Sequence, residues 1–194
     1  MVANGNINET PIDNYLYDSD PDLLPSALGT KYSYIINALY RKKHSLYSYK
    51  NSLSYYHNDE LAGKLWYINS SEIVLKSIYS GFFFFIFAGN HFIRSFFRFS
   101  NSRLAVKLSE NSIYLLSISV NHKYRRNGAG LSLLNELEII CKNSKKHIIE
   151  LDVDINNQNA INFYKKNGYS ILFQHNVNTG RINKIFIRMQ KCMS

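Results

Sequence analysis

The residues with the most chemistry in this chain lie between Val120 and Leu134, which read Val-Asn-His-Lys-Tyr-Arg-Arg-Asn-Gly-Ala-Gly-Leu-Ser-Leu-Leu. An apolar strand, Ile113 to Val120, runs into a short basic loop, Arg125-x-x-Gly128-x-Gly130, and an amphipathic helix starts immediately behind it. Two closely spaced glycines let a backbone come near a ligand with no Cβ in the way. The first N–H groups of a helix have no intrahelical partner and sit at the positive end of its dipole. Strand, glycine loop and helix start therefore make a seat for an anion, and Lys123, Arg125 and Arg126 suggest a phosphate. Spacing rejects two nucleotide seats. Leu133 stands where a dinucleotide fingerprint needs its third glycine, and Leu131-Ser132 follow Gly130 where a P-loop needs Lys-Ser/Thr.

A second pattern follows. In His147–Ile155, residues Ile149, Leu151, Val153 and Ile155 alternate with Ile148, Glu150, Asp152 and Asp154, which reads as a strand. Then comes Asn157-x-x-Ala160-Ile161-x-Phe163-Tyr164-Lys165-Lys166-x-Gly168-Tyr169. Ala160, Phe163 and Tyr164 share one face of a helix at i, i+3, i+4. Lys165 and Lys166 suit its last turn, and Gly168 the C′ position.

Taken together, the two patterns resemble the signatures of the GNAT superfamily of acyl-CoA-dependent N-acetyltransferases. Those are a strand ending in Val, then Arg/Gln-x-x-Gly-x-Gly/Ala opening a helix, and further on Asn-x-x-Ala-x-x-Phe/Leu-Tyr-x-Lys-x-Gly-Phe/Tyr. The likeness covers residues 112–190 well and 45–68 loosely. It implies an α+β fold: a mixed, mostly antiparallel central sheet flanked by helices and splayed between its two central strands. It also implies acetyl-CoA as co-substrate, without a metal. Main-chain donors of Arg126, Asn127, Gly128, Ala129 and Gly130 would hold the pyrophosphate, with Arg125 on a phosphate. Backbone groups of Ile118, Ser119 and Val120 would pair with the pantetheine arm, and an N–H near Val120 would polarise the thioester oxygen. Asn157 would bond the arm, and Tyr164 would protonate the departing thiolate. Without the resemblance, Tyr164 reads as core packing and Asn157 as a helix N-cap.

One requirement of amide formation has no evident residue. Many family members carry a Glu base on the central strand, where this chain has Ser117 and Ser119. Glu110, Asp18, Asp20, His44 and Glu72 have no motif behind them. The leading reading is an N-acetyltransferase acting on a primary amine, either a small molecule or a peptide or protein amino group. One alternative is a non-catalytic acyl-CoA-binding protein of the same fold. Another is a basic nucleic-acid- or ribosome-associated protein, which no recognised module or sustained basic stripe supports. Self-association as a homodimer stays open.

The elements that would position these groups read as one domain over residues 15–194, behind a polar, Asn-rich and flexible stretch, 1–14. Helical patterning begins near Pro21 and resumes from Tyr32 to Lys43, with an apolar stripe at Ile35, Ile36, Leu39 and Tyr40. Leu46–His57 and Leu61–Ile68 read as a hairpin about Asn58-Asp59-Glu60. Ser70 and Ser71 suit a helix cap, and Ser71 to about Phe99 reads as two helices covering the substrate side. Residues 100–111 read as a loop, and Tyr169–His175 with Lys184–Met189 as a closing hairpin.

The aromatic run Ser80–Gly89 is about ten apolar residues where a spanning helix needs ~20, so it reads as a buried or cavity-lining helix. The second option is a helix dipping into a bilayer interface beside Arg94 and Arg98. The net charge is +9, yet residues 1–30 hold five acids and no Lys or Arg, so the rest carries 23 basic against 9 acidic residues. That excess suits a polyanion such as coenzyme A. Two cysteines, Cys141 and Cys192, give no disulfide framework, and the start lacks a signal-peptide pattern, so a cytoplasmic location is expected.

Overall fold

The hairpin turn at Asn58-Asp59 shows how local chemistry sets the frame. Both residues adopt positive φ, 48° and 64°, as a two-residue type I′ turn requires and as Asn and Asp tolerate. They join β2 (Ser52–His57) to β3 (Glu60–Asn69). The structure, a computed structural model, describes every residue except 10, 20, 23, 24, 26, 27, 89–106, 179–182 and 194. Among the described residues one sheet has seven strands in the order β1-β2-β3-β4-β5-β7-β6. The remaining strands are β1 (Val2–Asn4), β4 (Ser112–Val120), β5 (Ile148–Asp154), β6 (Ser170–Asn178) and β7 (Asn183–Cys192). Only β4 and β5 run parallel; every other neighbouring pair is antiparallel. The expected mixed, mostly antiparallel sheet is therefore present.

Helices α1 (Asp13–Ser19), α2 (Tyr32–Tyr40) and α3 (Ile73–Ala88) lie on one face. On the other lie α4 (Ala129–Asn143) and α5 (Gln158–Lys166). Strand β4 is covered on both sides: Ile113 and Leu115 pack toward α4, Tyr114 and Leu116 toward α2. A strand buried on both faces reads as a continuous apolar run, which is why its sequence shows little alternation. The stripe Ile35, Ile36, Leu39 and Tyr40 is fully buried as its spacing demands. Each such aliphatic side chain contributes about 1.5–3 kcal/mol.

The amino-terminal stretch departs from its expected flexibility. Val2, Ala3 and Asn4 pair with Tyr55, Ser54 and Leu53, since an edge strand needs main-chain hydrogen bonds more than apolar side chains. Gly5 then passes where a Cβ would come within 2.6 Å of the Tyr49 carbonyl oxygen. Glu9 enters a pocket where it takes hydrogen bonds from Lys64, from Tyr40 at 2.6 Å, from Ser54 at 3.0 Å and from Tyr56. Burial opposes its ionisation, but the Lys64 charge and these donors outweigh it and hold the carboxyl below the usual range. Burial also pulls the Lys64 ammonium down to about 8, against the pull of Glu9. Five residues from distant parts of the chain form this cluster, so no local pattern announces it.

Other boundaries move. The first helix begins at Asp13, ahead of Pro21, and residues 46–51 are turns and one 3-10 turn rather than strand. Residues 70–72 form a 3-10 turn without a side-chain cap, and Ser70 Oγ instead accepts from Ser112 N–H at 3.3 Å. A single helix, α3, continues to Ala88. The second expected helix, Arg94 and Arg98 lie outside the described residues, as do residues 179–182 between the two strands of the closing hairpin.

Candidate active site

The sheet opens at its centre. Strands β4 and β5 pair only from Ser112–Ile148 to Leu115–Leu151. Beyond that, β4 follows β3 as far as Val120 opposite Gly63, while β5 follows β7 to Asp154 opposite Phe186. A bulge drives the divergence: Tyr67 faces Leu115 and Trp66 faces Ser117, leaving Leu116 extra in β4. The resulting cleft encloses about 860 Å³.

Main-chain direction in the gap follows from alternation. Asn121 N–H donates to the Ala62 carbonyl in β3 at 2.9 Å. Val120 and Ile118 therefore present their N–H and C=O groups away from β3, into the gap, whereas those of Ser119 turn toward β3. The carbonyl of Val120 already accepts from Arg125 Nε at 2.9 Å. All three residues line the cleft, and the buried Ser119 Oγ has no partner among the described residues.

The basic loop is a 3-10 turn, His122–Tyr124, begun by Asn121 Oδ1 accepting Lys123 N–H at 3.1 Å. Arg126 and Gly128 then take left-handed φ of 66° and 78°. Alternating handedness of this kind turns successive N–H groups inward, and at position 128 glycine takes it without strain. Gly128 caps α4 with no side chain. Among the described residues nothing accepts from the N–H of Ala129, Gly130 or Leu131, and Ser132 N–H is the first to bond back, to the Gly128 carbonyl at 2.9 Å. Arg125, Arg126, Gly128, Ala129 and Gly130 line the cleft; Asn127 does not. Lys123 is also outside it, paired with Glu60 at 3.1 Å and lying over the Tyr124 ring.

Across the gap, Asn157 caps α5, its Oδ1 accepting Ala160 N–H at 3.1 Å. Its Nδ2 makes no hydrogen bond among the described residues, and the side chain lines the cleft. Phe163 and Tyr164 line it too; the buried Tyr164 ring stands edge-on to Phe163 at 5.5 Å and to Tyr169 at 5.6 Å. Gly168, at φ 84°, ends the helix as its spacing foretells.

The α1 side of the cleft is acidic. Asp18, Asp152 and Asp154 line it with Ser117 and Phe186. Ser117 Oγ bonds Ser19 Oγ at 2.7 Å. Asp152 is gripped by Arg188 through Nε at 2.7 Å and Nη2 at 2.9 Å, by Tyr114 Oη at 3.0 Å and by His175 Nε2 at 3.1 Å. Burial works to raise its carboxyl, but hydrogen bonds from His175 and Arg188 and the guanidinium charge prevail and hold it below the usual range. Lys184 bridges Asp154 at 3.2 Å and Asp22 at 2.5 Å.

Of the other acids and bases considered from sequence, Asp18 alone reaches the cleft among the described residues. Glu72 pairs with Lys76, His44 lies against Tyr79, Glu110 is exposed elsewhere, and Asp20 is outside the described residues. Asp152, Asp154 and Arg188 were missed. The available signal was the alternation that set Glu150, Asp152 and Asp154 on one face of a central strand. Glu150 is spent on structure, accepting from Ser109 N–H at 3.0 Å and Ser112 Oγ at 3.2 Å.

Donors and cations at one end of the cleft, carboxylates at the other, and a phenol between two strands that part: this suits a ligand with an anionic carrier and a cationic partner. Comparison with known proteins gives the same direction. A model of the acetyltransferase (GNAT) family matches residues 25–169. N-alpha-acetyltransferase 50 of Danio rerio is 35% identical over 65 residues, covering 33% of this chain and 39% of that protein. The chain thus matches about two fifths of that relative's length. The solved N-acetyltransferase of Staphylococcus aureus Mu50 superposes with a TM-score of 0.75 at 20% identity, over 98% of this chain and 99% of that one. A protein of Bacillus anthracis str. Ames, solved in complex with acetyl coenzyme A, gives a TM-score of 0.50 at 16% identity, over 74% of this chain and 62% of that one. At these identities the structural likenesses establish the shared fold.

Proposed function

This chain belongs to the acetyltransferase (GNAT) family, and from that premise we propose that it moves an acetyl group from acetyl-CoA to a primary amine by direct attack on the thioester. The single observation that carries the proposal is the parting of β4 from β5 after Leu115 and Leu151, which leaves main-chain groups of Ile118 and Val120 facing a cleft. An extended pantetheine arm pairs there as a further strand would. The free N–H groups of Ala129 and Gly130, with Arg125 and Arg126, take the diphosphate. The B. anthracis protein of the same fold was solved with acetyl coenzyme A, which supports the choice of carrier.

In the reaction the amine lone pair attacks the thioester carbon. The C–N bond forms, the C–S bond breaks, the thiolate takes a proton from Tyr164 Oη, and the proton shed by the newly acylated nitrogen returns to the Tyr164 phenolate. Val120 N–H stabilises the tetrahedral oxygen. The acceptor arrives as an ammonium drawn by Asp18, Asp152 and Asp154, and releases its proton to solvent by way of the Ser117 and Ser119 hydroxyls. Asp152 is a field-setting group rather than the base, because the hydrogen bonds from His175 and Arg188 and the guanidinium charge lower its affinity for a proton. The N-alpha-acetyltransferase among its relatives favours a peptide or protein amino terminus as acceptor, and the thiol content favours the cytoplasm. A thiol-release assay across small amines and peptide amino termini tests the reading. Turnover lowered on the order of 10³-fold by Tyr164→Phe with acetyl-CoA binding intact supports it; calorimetry showing no binding of acetyl-CoA overturns it.

A further inference from the structure

Helix α1 brings Asp18 and Ser19 to the cleft, yet it is a helix that cannot hold itself in place. Its seven residues are too few for a stable helix in water. Asp18 sits in the last turn, where a negative charge opposes the helix dipole. Its seat on β4 therefore comes from contacts with the rest of the fold. Leu16 supplies an apolar one, fully buried. The polar ones reach across the chain. Asn37 of α2 accepts Ile12 N–H at 3.0 Å and donates to Asp13 Oδ1 at 2.8 Å. Tyr32 Oη donates to the Asp13 carbonyl at 3.0 Å, and Tyr15 Oη to the Leu61 carbonyl of β3 at 2.5 Å. At the far end, Ser117 Oγ donates to Ser19 Oγ at 2.7 Å.

The segment ahead of α1 is moored more firmly than an edge strand requires. Glu9 is paired with Lys64, whose side chain has no exposure. Lys64 also donates to Ser54 Oγ at 2.7 Å and lies 4.8 Å from the Tyr40 ring and 5.5 Å from that of Trp66. A buried ion pair is a weak device for stability, since apolar residues of similar volume often do as well or better. Position is what this one supplies. Glu9 stands four residues before Asp13, and four residues span at most about 14 Å, so a fixed Glu9 limits where α1 can begin. Tyr15 lies within reach of both ends. Burial raises its phenol first, and the charges of Asp18 and then Glu9 raise it further.

We propose that Glu9 and Asn37 are positioning residues for the amine acceptor, holding Asp18 and Ser19 at the cleft through the amino-terminal segment and the start of α1. This role rests on the acetyl transfer proposed above. Thiol release with n-butylamine and with an alanine tripeptide, beside calorimetry of acetyl-CoA, tests it in Glu9→Gln and Asn37→Ala. Each variant should raise the acceptor KM roughly fivefold, with the acetyl-CoA Kd within about twofold of the parent. A merely structural role would shrink the active fraction instead, lowering kcat and leaving KM unmoved. Adding Asp18→Asn to either variant should raise its KM by less than about 1.5-fold, because groups acting through one another are not additive. Glu9→Gln strands the Lys64 charge; should it fail to fold, Asn37→Ala, at a half-buried site, decides alone.

An acceptor KM unchanged in the folded variants overturns the proposal, as does an equal rise in the acetyl-CoA Kd or an effect that multiplies with that of Asp18→Asn. Turnover by the parent leaves the transfer reaction standing in each of those cases. A parent that binds no acetyl-CoA, or releases no thiol with either amine, defeats the reaction itself and this role with it.

Discussion

The two sides of the cleft are built by different means. On the α4 side the cleft ends at main-chain N–H donors of a helix start, set by Arg126 and Gly128 at positive φ. On the α1 side they are carboxylates, and the central one, Asp152, is fixed by Arg188, His175 and Tyr114 from three other strands. A donor array made from backbone is local: a few consecutive residues suffice, and most side chains can vary without altering it. A carboxylate array held by buried ion pairing is non-local and depends on each partner. The first side should thus tolerate substitution except where backbone conformation changes, and the second should respond in stability as well as in binding.

Four variants break or sharpen this contrast. The largest effect belongs to the group between the two sides: Tyr164→Phe should lower kcat on the order of 10³-fold, about 4 kcal/mol of barrier, with the acetyl-CoA Kd nearly unchanged in calorimetry. Next comes Arg188→Met, which strands Asp152 as a buried unpaired carboxylate and should cost about 3 kcal/mol in urea denaturation. The same variant carries a pH signature. With its carboxyl depressed in the folded state, Asp152 lends stability above the range of free carboxylates, and that stability is lost as pH falls through its folded value. The parent should therefore weaken steeply in acid, and Arg188→Met should flatten that slope in melts taken across acidic pH.

Gly128→Ala should be milder. The new Cβ meets nothing within 4 Å, so the cost is left-handed strain alone, about 1 kcal/mol of stability. Any loss of acetyl-CoA affinity beyond that would report the displaced N–H array. Asp18→Asn should be smallest. It should raise the KM of a cationic acceptor roughly threefold, most at low ionic strength, and leave that of acetyl-CoA unmoved. An equal rise in both constants would sink the division into two sides.

Much of the α4 side could be read from the chain before folding. The strand to Val120, the loop glycines, the start of α4, the Asn157 cap and the Gly168 terminator all fall where spacing places them, because each depends on neighbours within a few residues. Two details still escaped. Lys123, grouped with the loop arginines by sequence, is drawn off by Glu60 in β3, and Asn127 stays outside the lining. Whether a loop side chain points inward is settled by what packs against it.

The rest resisted for a related reason. Asp152 looks like one polar residue on an alternating strand until Arg188, His175 and Tyr114 converge on it, and Glu9 seems to belong to a loose tail until Lys64 and two tyrosines receive it. Helix α3 shows the opposite error: its composition suggests burial on every side, yet Ile73, Ser80 and Phe84 are buried while Val74, Leu75, Ile78 and Phe82 stay exposed. The linear sequence by itself determined the strand that ends at Val120, the glycine loop behind it and the bounds of α4 and α5. Only tertiary structure decided the splay of β4 from β5, the acidic wall and the anchored amino terminus. Each of those joins groups far apart in the chain, and their energies exist only once the loops between them have closed.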